Sequence, residues 1–386
     1  MAIFVSNRYL PRRILLLTGC FARAAAEKHS ITRLWKQSSR LISRSITQNA
    51  GDHGEHYITR DKKEYWAMFY SAAGGGVLIA LMALFKIYLG SIIDDKVWKG
   101  IAEGLNYGLG FMVIFMLHFT VATKQPAMTA ARFAEAVEKT PQGKSVNMKL
   151  AQLLVDVFRS QSIAVLGNVL IAMGLAALIA FGYQYKTGEP LMNADQIAYQ
   201  LHSIDPFAGT LWFAAIAGVW LFCSGIISGY FDNRSNYLNM RMRLTQHPLL
   251  KKLMSEKSRV KFANYMHENY GSLIGNLCFG MLLGITGVVG YLTHLPLDIR
   301  HVAFSSANVG YIAVSGQFTY SLLLQCIGFV LLIGLVNLVV SFSLTLWVAL
   351  RSLNAEIESW WPIWYEVCQI VKKRPLSLFF PVQLDK

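Results

Sequence analysis

Long stretches without a single Asp, Glu, Lys or Arg constrain the fold of this chain more than any other feature. They run from Tyr65 to Phe85, Gly104 to Thr123, Ser160 to Tyr185, Pro206 to Phe231 and Asn269 to Leu297, and they end in fifty consecutive uncharged residues from His301 to Leu350. A hydrocarbon core about 30 Å thick takes roughly 20 helical residues to cross. Each stretch is therefore long enough to span once, and the last has length to spare. With 54% hydrophobic and 15% charged residues over 386 positions, the balance is that of a membrane domain and not of two or three soluble ones.

The formal net charge of +14 invites a nucleic-acid reading, but the positions of the basic residues give it another meaning. Twelve Lys and Arg precede the first uncharged stretch; the successive gaps hold 3, 6, 1, 8 and 1, and 5 lie in the tail. Alternate compartments thus hold 31 against 5, which is the asymmetry of the positive-inside rule. The predicted fold is an all-α polytopic membrane protein of about six transmembrane helices with both termini inside. Residues 1–64 form a basic cytosolic or interfacial arm, 65–350 the membrane domain and 351–386 a cytosolic or interfacial tail.

Within the arm, Ile31, Leu34, Trp35, Leu41, Ile42 and Ile46 recur at helical spacing with Arg33, Lys36, Arg40 and Arg44 between them. A mitochondrial presequence has a similar composition, but the pattern also suits a surface helix on anionic lipid headgroups, the reading preferred here. Leu17-Thr18-Gly19-Cys20 mimics a lipoprotein cleavage box behind too short an apolar segment. Cys20, Cys223, Cys278, Cys326 and Cys368 contain no Cys-x-x-Cys pair and read as packed thiols. His53 and His56 beside Asp52 sit in a glycine-containing linker; no metal and no cofactor is expected.

Polar residues inside the apolar stretches are costly unless they face a partner, a cavity or the interface. They are Lys86, His118, Asn168, Gln325 and Asn337. Lys86, at a stretch end, is expected to snorkel. His118 opens a polar segment that includes Thr123, Lys124, Gln125 and Pro126, where Pro126 can bend or end a helix. That segment reads either as a ligand, ion or proton site at one mouth or as a capped helix end. A second patch, Asp298, Arg300 and His301 after Pro296, is assigned to the outer mouth. The following stretch, with Ser305, Ser306, Asn308, Ser315 and Gln317, is either a re-entrant element before the last span or a surface loop. Asp232 and Arg234 are expected to form a helix-end ion pair. Gly271, Gly275, Gly280, Gly284, Gly287 and Gly290, with Gly225 and Gly229, suit close helix packing, and their Gly-x-x-x-Gly faces can also support an oligomer.

Several segments resemble a family of bacterial multi-pass proteins known as transmembrane site-specific recombinases, the Gcr family. They are Gly54-Glu55-His56-Tyr57 with Arg60 and Glu64-Tyr65; His118 through Ala130; Gly209 through Phe213; Gly229 through Asn233; Leu295 through His301; and Asn337 through Ser343. The resemblance covers roughly Gly51 to Leu353 and implies a multi-pass protein of the bacterial inner, cytoplasmic membrane. Members of that family carry a longer region ahead of the membrane part, so this chain reads as one with a short N-terminal region.

Recombination requires a Tyr or Ser nucleophile on a phosphodiester and a cationic cluster to stabilise the charge that develops. No histidine here has an Arg three residues later, and the largest charged loops, Lys124 to Arg159 and Asp232 to Glu268, are too short for a soluble catalytic domain. Their basic residues are already required by topology, which makes nucleic acid an unlikely partner. An enzyme is not favoured. The leading expectation is transport or channelling of a small solute, ion or lipid, with His118, Lys124, Gln125, Asp298, Arg300, His301 and Asn337 as candidate site residues. A membrane scaffold and a DNA recombinase are the alternatives.

Overall fold

The computed structural model describes residues 18–19, 58–122, 125–138, 144–315, 318–353, 357 and 359–381. The proposed surface helix of the arm and the His53–His56 linker lie outside these residues. Twelve α-helices occupy most of the rest: α1 Lys62–Ile92, α2 Lys96–Met116, α3 Gln125–Glu138, α4 Lys144–Thr187, α5 Ala194–Ile204, α6 Thr210–Tyr237, α7 Met240–Gln246, α8 Pro248–Leu253, α9 Glu256–Thr293, α10 Val302–Ala313, α11 Tyr320–Leu353 and α12 Trp361–Lys373. Among the described residues there is no strand.

Helix starts follow local chemistry. Asp61 accepts from the Glu64 amide at 2.7 Å, Asp95 from those of Val97 and Trp98, and Asn193 with Gln196 forms a capping box; each satisfies amides that have no partner inside the helix. Two helices stop on a histidine in the left-handed region, His118 after α2 (φ 58°) and His294 after α9 (φ 56°). The second uncharged stretch, expected to continue helically to Pro126, therefore ends at Met116, and the chain runs irregularly to Ala122 before α3 begins.

Five helices are long and apolar enough to cross a membrane: α1, α4 from Asn147, α6, α9 and α11. Helix α2 is less apolar because Lys96, Lys99, Glu103 and Asn106 lie along its first half. The directions of these helices follow from which residues meet. Along α1 and α4, Asn168 reaches the Ala72 carbonyl and a side chain on Gly76 would strike Asn168 and Ala172, so the two run parallel. Helix α2 runs against α1, since Asn106 donates to Met82 O and Lys86 pairs with Glu103. Helix α9 runs against α2, with Gly100 facing Val288, Gly104 facing Gly284 and Gly108 facing Leu277 and Gly280. Helix α6 runs against α9, where Gly271 and Gly275 meet Ser228, and α11 runs parallel to α6, where Gly218 meets Val340 and Asn337 O. Three helices of the first half thus run up, down, up and their counterparts run down, up, down. The bundle consists of two halves in opposite orientation.

The short helices fit the same plan. Residues 302–313, left above as either a re-entrant element or a surface loop, form a helix with every residue from Val302 to Ile312 buried except Asn308. A surface loop is ruled out. At 12 residues α10 is too short to cross a bilayer and is enclosed by spanning helices, where irregular backbone at membrane depth is tolerated. Its hydroxyls are satisfied locally, Ser306 by Ala303 O and Ser315 by Ile312 O, while Tyr311 donates to Ala80 O at 2.7 Å. Helix α10 lies on α4 of the other half, with Gly310 against Met173 and Ala176. Helix α3 reciprocates on α11, where Ala130, Phe133 and Ala134 share a core with Leu346 and Ala349.

A paired asparagine staple

Each half is pinned by one buried asparagine making the same three bonds. Asn168 on α4 donates to Ala72 O (2.6 Å) and Thr120 O (2.9 Å), and its Oδ1 accepts from Ala122 N (2.8 Å). Asn337 on α11 donates to Ala214 O (2.7 Å) and Arg300 O (3.0 Å), and its Oδ1 accepts from Val302 N (3.1 Å). Each staple ties the first helix of its half, the irregular segment and the last helix into one unit. Both asparagines are at most 1% exposed, and an unpaired amide at that depth is costly.

The two sets of bonds define which positions correspond: Ala72 with Ala214, Thr120 with Arg300, Ala122 with Val302, Asn168 with Asn337. The 180-residue step from Thr120 to Arg300 also places Gly100, Gly104 and Gly110 on Gly280, Gly284 and Gly290. It carries the Gly104–Gly284 contact onto itself and the Gly108–Gly280 contact onto that of Gly100 with Val288. A two-fold axis through the α2–α9 crossing produces this pattern. Along α1 and α6, Gly76 and Gly218 correspond, and each lies under the carbonyl of its own asparagine.

Candidate functional site

The irregular segment of the second half forms the more elaborate site. His294 ends α9, and the chain crosses to α10 through Leu295–His301. Arg300 is held on three sides: its amide donates to Phe213 O, Nε to Ser203 O at 2.8 Å and Nη1 to Asp298 Oδ2 at 2.6 Å. Asp298 also accepts from the Ile299 amide at 2.8 Å. His301 is 1% exposed, and its ring lies among Phe111, Phe279 and Phe304 at centroid distances of 6.1, 5.9 and 5.7 Å. The structure thus gathers Asp298, Arg300, His301 and Asn337 around the irregular segment that leads into α10.

Among the other predicted residues, His118, Asp232 and Arg234 lie apart from that group. His118 is exposed at the stop of α2, its carbonyl accepting from Ser71 Oγ at 3.1 Å. Lys124 lies outside the described residues, as does the side chain of Gln125, which opens α3. Asp232 accepts from the Gly271 amide at 2.9 Å, whereas Arg234 Nη1 approaches the Tyr230 hydroxyl at 3.5 Å.

Next to the Asp298 segment is a cavity of about 490 Å³ between α1, α2, α5 and the start of α10. The reason it exists is local. Helices α6 and α9 close on each other through Gly271 and Gly275, which bring backbone against Ser228. Their counterparts α1 and α2 meet through long side chains: Met82 against Gly110, Lys86 against Glu103 at 3.4 Å and Lys99 against Gly90. The gap is lined by Lys86, Lys99, Glu103, Asp195, Asp298 and Arg300, three cations and three anions, together with Tyr107, Tyr199 and His301. Lys86, expected to snorkel, pairs with Glu103 at the cavity wall and lies 5.7 Å from the Tyr107 ring centroid.

Sequence reasoning missed Glu103, Tyr107 and Asp195 as wall residues, and treated Asn168 only as a costly polar group. The signal for Asn168 was present: it and Asn337 are asparagines in the middle of α4 and α11, the last long helix of each half, in a chain whose glycines repeat. No curated protein and no solved structure matches the chain. A sequence model of the site-specific recombinase family matches residues 3–381. The chain belongs to that family. Within this family member the match takes in both halves of the bundle, both staples and the cavity.

Proposed function

We propose that this family member moves a small solute or ion across the bacterial inner membrane, as a transporter or channel. The observation that carries the reading is the inverted pair of halves, each with a short helix that follows irregular backbone and packs on the long helix of the other half. Membrane transporters recurrently use this plan and place their sites where the halves meet. The charged cavity beside the Asp298 segment supports the same reading, since ionisable groups among spanning helices mark solute or proton paths. With six spans and both ends inside, the cavity opens outward and the His118 segment lies at the cytoplasmic mouth. The test is uptake of a labelled solute panel into proteoliposomes. Uptake lost in both Asp298→Asn and His118→Ala supports the assignment, and unchanged uptake in both removes these residues from the path.

The family name supplies a second reading with one observation behind it. Tyr237 is 87% exposed at the end of α6, within a stretch carrying Arg234, Arg241 and Arg243. As a recombinase nucleophile it would form a covalent adduct with DNA, and Tyr237→Phe would abolish it. The transport reading is favoured because the enclosed charged groups are walled by spanning helices, whereas the basic stretch is already required by topology.

A further inference from the structure

The charges around the cavity are not equivalent, and their arrangement narrows the solute. Two ion pairs stand on different walls, Lys86 with Glu103 across α1 and α2, and Asp298 with Arg300 on the segment before α10. In the first pair the lysine side chain is 37% exposed and the glutamate 14%; in the second the aspartate is 37% exposed and the arginine 14%. Each pair keeps one member buried behind the other and turns the opposite member outward, a cation on one wall and an anion on the second. Arg300 is further engaged by Ser203 O and Ile299 O, so it is spent as scaffold, whereas Lys86 meets its carboxylate at a single 3.4 Å contact. The six charged lining groups sum to zero, so the cavity as a whole concentrates neither cations nor anions.

We propose that this cavity binds a small zwitterion carrying an ammonium and a carboxylate group. Its ammonium lies against Asp298 and its carboxylate against Lys86, with the rings of Tyr107 and Phe304 as the floor between them; these meet at 4.4 Å between centroids, tilted by 42°. A volume of about 490 Å³ falls at the small-molecule end of the range for ligand sites. A singly charged ion would satisfy one wall and leave the other unmatched; a molecule with both groups satisfies both and leaves the two buried pairs intact. This inference rests on the cavity being the solute site of the proposed transporter, but not on transport itself.

The experiment is binding to the purified full chain in detergent, followed by thermal shift and calorimetry, which need no gradient. The probes are the common α-amino acids and a series of ω-amino acids from β-alanine to 6-aminohexanoate, with ammonium chloride and sodium acetate at matched concentration. At least one zwitterion should raise the melting temperature and give a saturable heat, while ammonium and acetate, alone or mixed, should not. Lys86→Met and Asp298→Asn should each weaken that binding by about tenfold or more, the scale expected for one lost charge-assisted contact. Lys86→Arg, which keeps the charge, should retain most of it and guards against a folding defect. No response to any zwitterion, an equal response to acetate or ammonium, or full binding in both neutralised variants overturns the proposal. Zwitterion binding without flux would sink the transport reading alone, and flux of a simple ion without zwitterion binding would sink this inference alone.

Discussion

At the scale of single residues, three buried polar side chains hold irregular backbone in place. Asn168 and Asn337 each satisfy one carbonyl and one amide of an irregular segment and add a second bond to a carbonyl within α1 or α6. Replacing either by Leu keeps the volume but strands two polar groups of the irregular segment, each costing about 1–3 kcal/mol. Asn337→Leu should therefore lower the melting temperature sharply, with Asn337→Asp also poorly tolerated because a carboxylate cannot donate to Ala214 O and Arg300 O. Because the staples correspond, Asn168→Leu should give a similar loss, and a mild effect at one site alone would show that the halves are not held alike. Arg159 plays a related part at the termini. It is 4% exposed, pairs with Asp156 at 2.9 Å and donates to Thr59 O and Ser377 O, tying both ends of the described chain to α4. Arg159→Ala leaves Asp156 without this partner at a cost of about 3–5 kcal/mol. Limited proteolysis should then cut within residues 374–381 faster, and Lys should not rescue because it lacks the planar fork.

Helices α2 and α9 show how element packing depends on the absence of side chains. A Cβ on Gly280 or Gly284 would collide with the backbone of Gly108 or Gly104, whereas one on Gly104 would meet Met281 in a tight contact at 3.3 Å. Gly284→Val should abolish the monodisperse folded protein, because backbone on both sides cannot shift without separating the halves. Gly174 and Gly182 have nothing within 4 Å of an added Cβ. In the long helix α4, Gly174→Ala should be neutral or stabilising by up to about 1 kcal/mol, which a thermal melt of the pair of variants would resolve. The glycine run of the fifth uncharged stretch was legible as a packing face, but not its partner. Gly271, Gly275, Gly280 and Gly284 are taken up by α6 and α2 of the same chain. The spans themselves were readable because charge exclusion is a property of sequence alone. The stop of α2 was not: His118 enters the left-handed region for reasons set by Ser71 and Asn168 on other helices, and no local signal before Pro126 announces it.

For the whole molecule, the inverted halves and the distribution of charge predict the same topology. The contacts fix the relative directions of α1, α2 and α4, and of α6, α9 and α11, independently of any membrane. A half turned over with respect to its partner must begin on the opposite face, so each half must cross an odd number of times. If α2 crosses despite Lys99 and Glu103, each half crosses three times, and the connection through α5 lies on the face opposite the basic loop of α7 and α8. The basic-residue count gives the same parity, with a single Lys between Ser160–Tyr185 and Pro206–Phe231 and eight basic residues between Asp232 and Glu268. If α2 instead lay within one leaflet, the first half would cross twice against three crossings by α6, α9 and α11, the halves could not be inverted, and the agreement of the two asparagine staples under a two-fold axis would have no cause. A reporter fused after Thr187 should therefore be active outside the cytoplasm, and the same reporter after His247 inside it. Both reporters on one face would refute the crossing of α6 and with it the inverted arrangement, whereas a split with the opposite sign would keep the halves and reverse which mouth the cavity serves.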